Sequence, residues 1–219
     1  MEIKKNSRIL FFGDSVTDAG RNRNSKNDIM VQKPFGDGYV DLVAGMLQGF
    51  YPQFNLRVFN SGISGNTTRD LLDRFETDVA QLKPDIIFMM IGVNDAWRHF
   101  DSPYSTEYHI SLSEYDSNIR RLIDLCTGVA DSLFVMSPYI LDTNKEDAMR
   151  IMIDEFVALC KGSAQENNAA FIDMQSVFDN VMNVCHPYVF SWDRVHPDRA
   201  AQMIIAREVM HALGLSLDC

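Results

Sequence analysis

Residues 85–92 read Asp85-Ile86-Ile87-Phe88-Met89-Met90-Ile91-Gly92, and this stretch decides the fold. Residues 86–91 are all apolar, so a strand built from them has no face left for water. The run is far shorter than the roughly 20 residues a membrane-spanning helix needs. Four further runs share its character: 8–13 (RILFFG), 56–60 (LRVFN), 132–137 (SLFVMS) and 170–173 (AFID). Between and after them lie helical patterns over 39–49, 68–81, 112–127, 145–167 and 197–213; in the last, Met203, Ile204, Ala206, Val209, Met210 and Leu213 recur at near-helical spacing. Strand and helix alternating in this way predict an α/β fold, a five-stranded parallel sheet covered by helices on both sides.

Composition agrees. A chain of 219 residues, 46% hydrophobic and 23% charged, suits one globular domain spanning 1–219. Twenty Lys and Arg against 30 Asp and Glu give a formal charge of -10, which offers no basic field for a nucleic-acid backbone or an anionic membrane. Charged residues at Lys4, Lys5 and Arg8 and an apolar stretch of only 9–12 argue against a cleaved secretory signal, whose core needs roughly 7–15 apolar residues. Cys126, Cys160, Cys185 and Cys219 show neither metal-ligand spacing nor the density of a disulfide scaffold, so they read as free thiols of a cytoplasmic protein.

In an open parallel sheet, ligands sit outside the carboxyl ends of the strands. Gly13-Asp14-Ser15 follows the first strand; Gly13 permits a sharp turn, and Ser15 reads either as a nucleophile or as a helix N-cap. The Gly-x-Ser-x-Gly elbow of the α/β-hydrolases is lacking. The second strand is followed by a loop, 60–68, that leads into a helix, whose N-terminal N–H groups suit an anion. There the Gly65 N–H is a candidate oxyanion donor, and Thr67 with Asp70 forms a capping-box pattern. Gly92-Val93-Asn94-Asp95 follows the third strand, with the Asn94 amide either a second donor or ordinary turn chemistry. Near the C-terminus, in Trp192-Asp193-Arg194-Val195-His196-Pro197, the three-residue spacing can bring carboxylate and imidazole to one side. Pro197 at the first helical position would put His196 near the N-cap, where the helix disfavours imidazolium and Asp193 favours it. A plain surface Asp–His pair is the alternative.

Taken in order, Gly13-Asp14-Ser15, Gly65 within Ser64-Gly65-Asn66-Thr67, Gly92-Val93-Asn94-Asp95 and Asp193-Arg194-Val195-His196 resemble the four motif blocks of the SGNH (GDSL) hydrolase superfamily over nearly the whole chain. Val16 stands where the GDSL name has leucine, an apolar exchange outside the chemistry. The resemblance implies a flavodoxin-like three-layer α/β/α sandwich. It implies Ser15 as nucleophile, His196 as general base and Asp193 as its orienting carboxylate. The oxyanion hole would comprise the backbone N–H groups of Ser15 and Gly65 and the Asn94 amide. Asp14 and Asp95 would take no direct part, and no metal or organic cofactor is implied. The wording of 13–21, 36–40, 91–98, 137–142 and 191–197 is further similar to the intracellular acetylxylan esterases of bacteria. That branch implies a cytoplasmic serine esterase that removes acetyl groups from xylo-oligosaccharides, acts on a small-molecule ester, binds neither nucleic acid nor membrane, and forms a homo-oligomer.

Both tryptophans, Trp97 and Trp192, lie within three residues of a motif position and beside polar neighbours, so they read as rings for stacking on a sugar, with core packing as the alternative. Two rival functions remain: a lysophospholipase or thioesterase of the same superfamily, and a flavodoxin-like binding module without chemistry. A zinc site from His186, Asp193 and His196 is rejected, because no His-x-x-x-His or Cys pair supports it.

Overall fold

The computed structural model describes residues 3–25 and 28–216. Its sheet has five strands, β1 (Arg8–Gly13), β2 (Arg57–Gly62), β3 (Ile86–Met90), β4 (Ser132–Met136) and β5 (Ala170–Ile172). They are parallel throughout and ordered β2-β1-β3-β4-β5. This is the flavodoxin-like order, with its switch point between β1 and β3.

The reason lies in β3. Ile86, Phe88 and Met90 point into one apolar core, Ile87 and Met89 into another, so the unbroken run is two buried faces rather than one. Phe88 stacks between Phe11 of β1 (5.3 Å) and Phe134 of β4 (4.6 Å), in the register Phe11↔Phe88↔Phe134. On the first face pack α2 (Tyr39–Phe50), α7 (Met174–Met182) and α8 (Arg199–Ala212), through residues such as Val43, Phe178 and Ile205. The opposite face carries α3 (Thr68–Asp73), α4 (Val93–Asp101), α5 (Leu112–Thr127) and α6 (Ala148–Glu166), through Leu71, Ala96, Ile119 and Ile153. The expected three-layer sandwich is therefore what forms.

Several boundaries differ from expectation. The pattern over 68–81 is α3 followed by a π-helical stretch, Glu76–Ala80. A four-residue helix, α1 (Ser15–Asp18), and the nine-residue α4 and α7 follow their strands where sequence patterning showed no helix. The helix expected from Pro197 starts at Arg199, with Asp198 at its N-cap. Asp193 accepts from the Val195 and His196 N–H groups, which closes a turn over 193–196 and delays the helix. His196 thus lies outside the helix start, two residues before its cap.

Among the described residues, no helix is long and apolar enough to cross a membrane. Cys126 and Cys160 are buried free thiols and Cys185 is an exposed one. Cys219 lies outside the described residues.

Candidate active site

All the motif residues stand at the carboxyl end of the sheet, around the β1/β3 switch point. Gly13 ends β1, and it is glycine because of close approach rather than turning. A Cβ there would lie 2.4 Å from the Met90 carbonyl oxygen and 2.5 Å from Thr17 Oγ1. The next residue, not Ser15, caps α1: Asp14 accepts from the Val16 N–H at 3.0 Å. Ser15 is thereby the first residue of α1, and its hydroxyl meets His196 Nε2 at 3.0 Å across 181 positions of chain. His196 Nδ1 lies 2.6 Å from Asp193 Oδ2. With the ring proton on Nδ1, facing the carboxylate, Nε2 is left to accept the serine proton.

Asp193 is itself held firmly. Its Oδ1 accepts from Ser191 Oγ (3.0 Å), the Val195 N–H (3.0 Å) and the His196 N–H (2.8 Å). Burial would raise this carboxyl, but the hydrogen bonds from the His196 ring and from the two backbone groups outweigh it and hold it below the usual carboxylate range. Asp14 and Asp95 behave oppositely. Burial, with each residue 1% exposed or less, pushes Asp14 up to about 7 and Asp95 up to about 6. Asp95 is occupied in accepting from the Thr68 N–H, which ties α4 to α3.

The two side-loop motifs flank this centre. Gly65 has φ +85°, and a Cβ at this position would meet nothing within 4 Å, so conformation and not space calls for glycine. Thr67 and Asp70 form the expected capping box of α3. Asn94 is buried; its Nδ2 donates to the Asn66 carbonyl at 2.9 Å, and its Oδ1 accepts from Arg98 at 3.1 Å. One N–H of an amide that carries two is thus spent on the loop beside Gly65.

Trp97 is half-buried with its ring centroid 5.6 Å from that of His196, and the Arg98 guanidinium lies 5.7 Å from the centre of the same indole. Trp192 is 75% exposed, so of the two rings only Trp97 touches the imidazole. Trp97 also packs against the core on the α3–α6 face of the sheet, whereas Trp192 does not pack in a core. His186 accepts from the Tyr188 N–H in a separate turn, Pro187–Val189. Among the described residues, no group of three or more His, Cys, Asp or Glu is arranged to hold a metal ion.

Two open clefts reach the motif residues. One of about 290 Å³ is lined by Ser15, His196, Asp37, Arg199 and Gln202. The other, of about 490 Å³, is lined by Gly65, Asn66, Arg69, Asp70, Arg98 and Tyr108. Polar side chains outnumber apolar ones along both, although the first cleft exposes more apolar than polar surface and the second about as much of each.

Sequence reasoning missed the residues that bind these loops together. Arg74 donates to the carbonyls of Gly13 (2.8 Å) and Ser61 (2.8 Å) and to Asn66 Oδ1 (2.7 Å), joining the ends of β1 and β2 to the Gly65 loop. Asn60 donates to the carbonyls of Thr17 (2.7 Å) and Phe35 (2.8 Å) and accepts from the Gly62 N–H. A polar Asn60 ending an apolar strand was the one visible signal.

A serine, an imidazole and a carboxylate linked in this order, at the strand ends of an open α/β sheet, define a site of the serine-hydrolase type. The chain belongs to the GDSL-like lipase/acylhydrolase family, whose model matches residues 11–204. It is 40% identical over 214 residues to an acetylxylan esterase of Geobacillus stearothermophilus, spanning 98% of this chain and 97% of that enzyme. A crystal structure of that enzyme superposes with a TM-score of 0.93 at 39% identity, covering 99% and 98% of the two chains. It has also been solved as catalytic mutants with a serine, an aspartate or a histidine replaced by alanine. An alpha/beta hydrolase enzyme from the metagenome of Lake Arreo, Spain, matches with a TM-score of 0.93 at 36% identity over 96% of each chain.

Proposed function

We propose that this ester hydrolase removes acetyl groups from xylo-oligosaccharides, working as one catalytic domain with Ser15 as nucleophile. The observation that carries the reading is the chain Asp193 Oδ2 to His196 Nδ1, His196 Nε2 to Ser15 Oγ, at 2.6 and 3.0 Å. His196 takes the Ser15 proton as Oγ attacks the acetyl carbonyl, and the carbonyl electron pair moves to oxygen. The Ser15 and Gly65 N–H groups and the second Asn94 N–H hold that oxyanion. As the tetrahedral species collapses, His196 returns the proton to the departing sugar oxygen, leaving acetyl-Ser15. Water then gives a proton to His196 as its oxygen attacks the acetyl carbonyl, and as this second tetrahedral species collapses His196 returns the proton to Ser15 Oγ, releasing acetate and restoring the serine hydroxyl.

The 40% identity to an acetylxylan esterase over nearly the whole chain favours an acetylated sugar over a long acyl chain, and Trp97 beside His196 offers a ring face for the sugar. Acetate release from acetylated xylo-oligosaccharides, together with rates on acetyl and octanoyl model esters, tests this. Acetyl esters should be cleaved much the faster; a clear preference for octanoyl would point instead to a lipolytic enzyme or thioesterase. Asn94→Ala should lower kcat about 10²–10³-fold with little change in KM, as loss of a single oxyanion donor does. Steady-state kinetics on an aryl acetate would read this, and an unchanged kcat would remove Asn94 from the hole.

A further inference from the structure

Arg194 stands inside the turn that carries Asp193 and His196, and its backbone is left-handed at φ +71°. A non-glycine residue persists in that region only where its surroundings hold it there. Two sets of contacts do so. The Leu141 N–H donates to the Arg194 carbonyl at 2.7 Å, and the guanidinium pairs with Asp142 and, at 3.2 Å, with Asp147.

Both residues are anchored in their turn. Asp147 caps α6, accepting from the Met149 N–H (3.0 Å) and the Arg150 N–H (3.1 Å). The Asp142 carbonyl accepts from Arg150 Nη1 at 2.9 Å. Arg150 is itself buried and grips Asp179 of α7 through both terminal nitrogens, at 2.9 and 2.6 Å. A chain of ion pairs and hydrogen bonds thus runs from the 193–196 turn to two helices on opposite faces of the sheet.

We infer that Arg194 is a positioning residue, whose ion pairs with Asp142 and Asp147 hold the strained turn so that His196 stays within reach of Ser15. The inference rests on reading Ser15, His196 and Asp193 as the reacting set. These ion pairs are partly open to solvent and contribute little stability. A displaced base is different, since a misplacement of about 1 Å can cost about 10²-fold in rate.

Arg194→Gly is the informative variant, because glycine suits the left-handed backbone while the guanidinium is lost. It should lower kcat on an aryl acetate about 10- to 100-fold with KM nearly unchanged. Arg194→Lys should recover most of the rate. The downfield proton resonance of the His196 Nδ1–H, sharp in the wild type and in Arg194→Lys, should broaden or vanish in Arg194→Gly. Asp142→Asn should show the same two effects alone and add little to Arg194→Gly, and it serves as the test if the glycine variant does not fold. Wild-type kcat with an unaltered resonance would overturn the inference, and so would a raised KM at unchanged kcat, which would make Arg194 a substrate contact. The resonance is read without substrate. If it responds as expected while hydrolysis proves independent of Ser15, the positioning of His196 stands and the assignment of the nucleophile falls.

Discussion

Ser15→Ala should lower kcat for ester hydrolysis about 10⁶-fold, on the scale seen when a serine nucleophile is removed from an intact triad. The variant deletes one oxygen, the Oγ that lies 3.0 Å from His196 Nε2, from a half-buried side chain. Nothing in the sheet or the two cores depends on that atom, and Asp14, not Ser15, caps α1. The thermal midpoint should therefore move by no more than about a degree or two while activity disappears. The remaining rate, about 10³–10⁴ above water, would come from the oxyanion donors and substrate binding alone. Kinetics on an aryl acetate alongside a thermal melt separate this from loss of fold.

Asp193→Asn should cost about 10⁴ in kcat, for a different reason. Asparagine keeps an oxygen to accept the Val195 and His196 N–H groups, so the turn survives. Its amide, however, now donates toward His196 Nδ1, which moves the ring proton to Nε2 and leaves no lone pair for the Ser15 hydroxyl. The same carboxylate has a stability signature. Its folded value lies below its unfolded one, so its contribution is fully present at neutral pH and is lost as pH falls below about 4. Wild type should lose its stability advantage over Asp193→Asn on acidification. Melts at several pH values check this, and an advantage that persists undiminished at about pH 2 would contradict it.

The strands and the site were legible for separate reasons. Strands buried on both faces must be continuously apolar, and residues 86–91 could be little else. The motif residues were legible through their order and spacing: the first three blocks each follow a strand, and strand ends converge, while 193–196 lies beyond α7 and was legible through the three-residue spacing of Asp193 and His196. Helices α1, α4 and α7 escaped because four or nine residues carry too few turns to establish a period, and α4 begins in polar motif residues. Asp198 rather than Pro197 sets the start of α8, since the carboxylate-closed turn before it consumes the residues that a helix would have used. Arg74 and Arg194 were illegible because their meaning lies in partners far along the chain, Gly13 at 61 positions and Asp142 at 52. No local pattern encodes such a pairing.

The proposed chemistry turns on an acetyl group carried by Ser15. Rapid quenching of the wild-type enzyme during the first turnovers of an aryl acetate, followed by mass analysis of its peptides, tests that directly. A burst of about one phenol per active site, with the added acetyl mass on the peptide and residue of Ser15, is the expected result. Acetyl found on another residue, or turnover with no covalent acetyl and no burst under conditions where deacylation limits the rate, would contradict it.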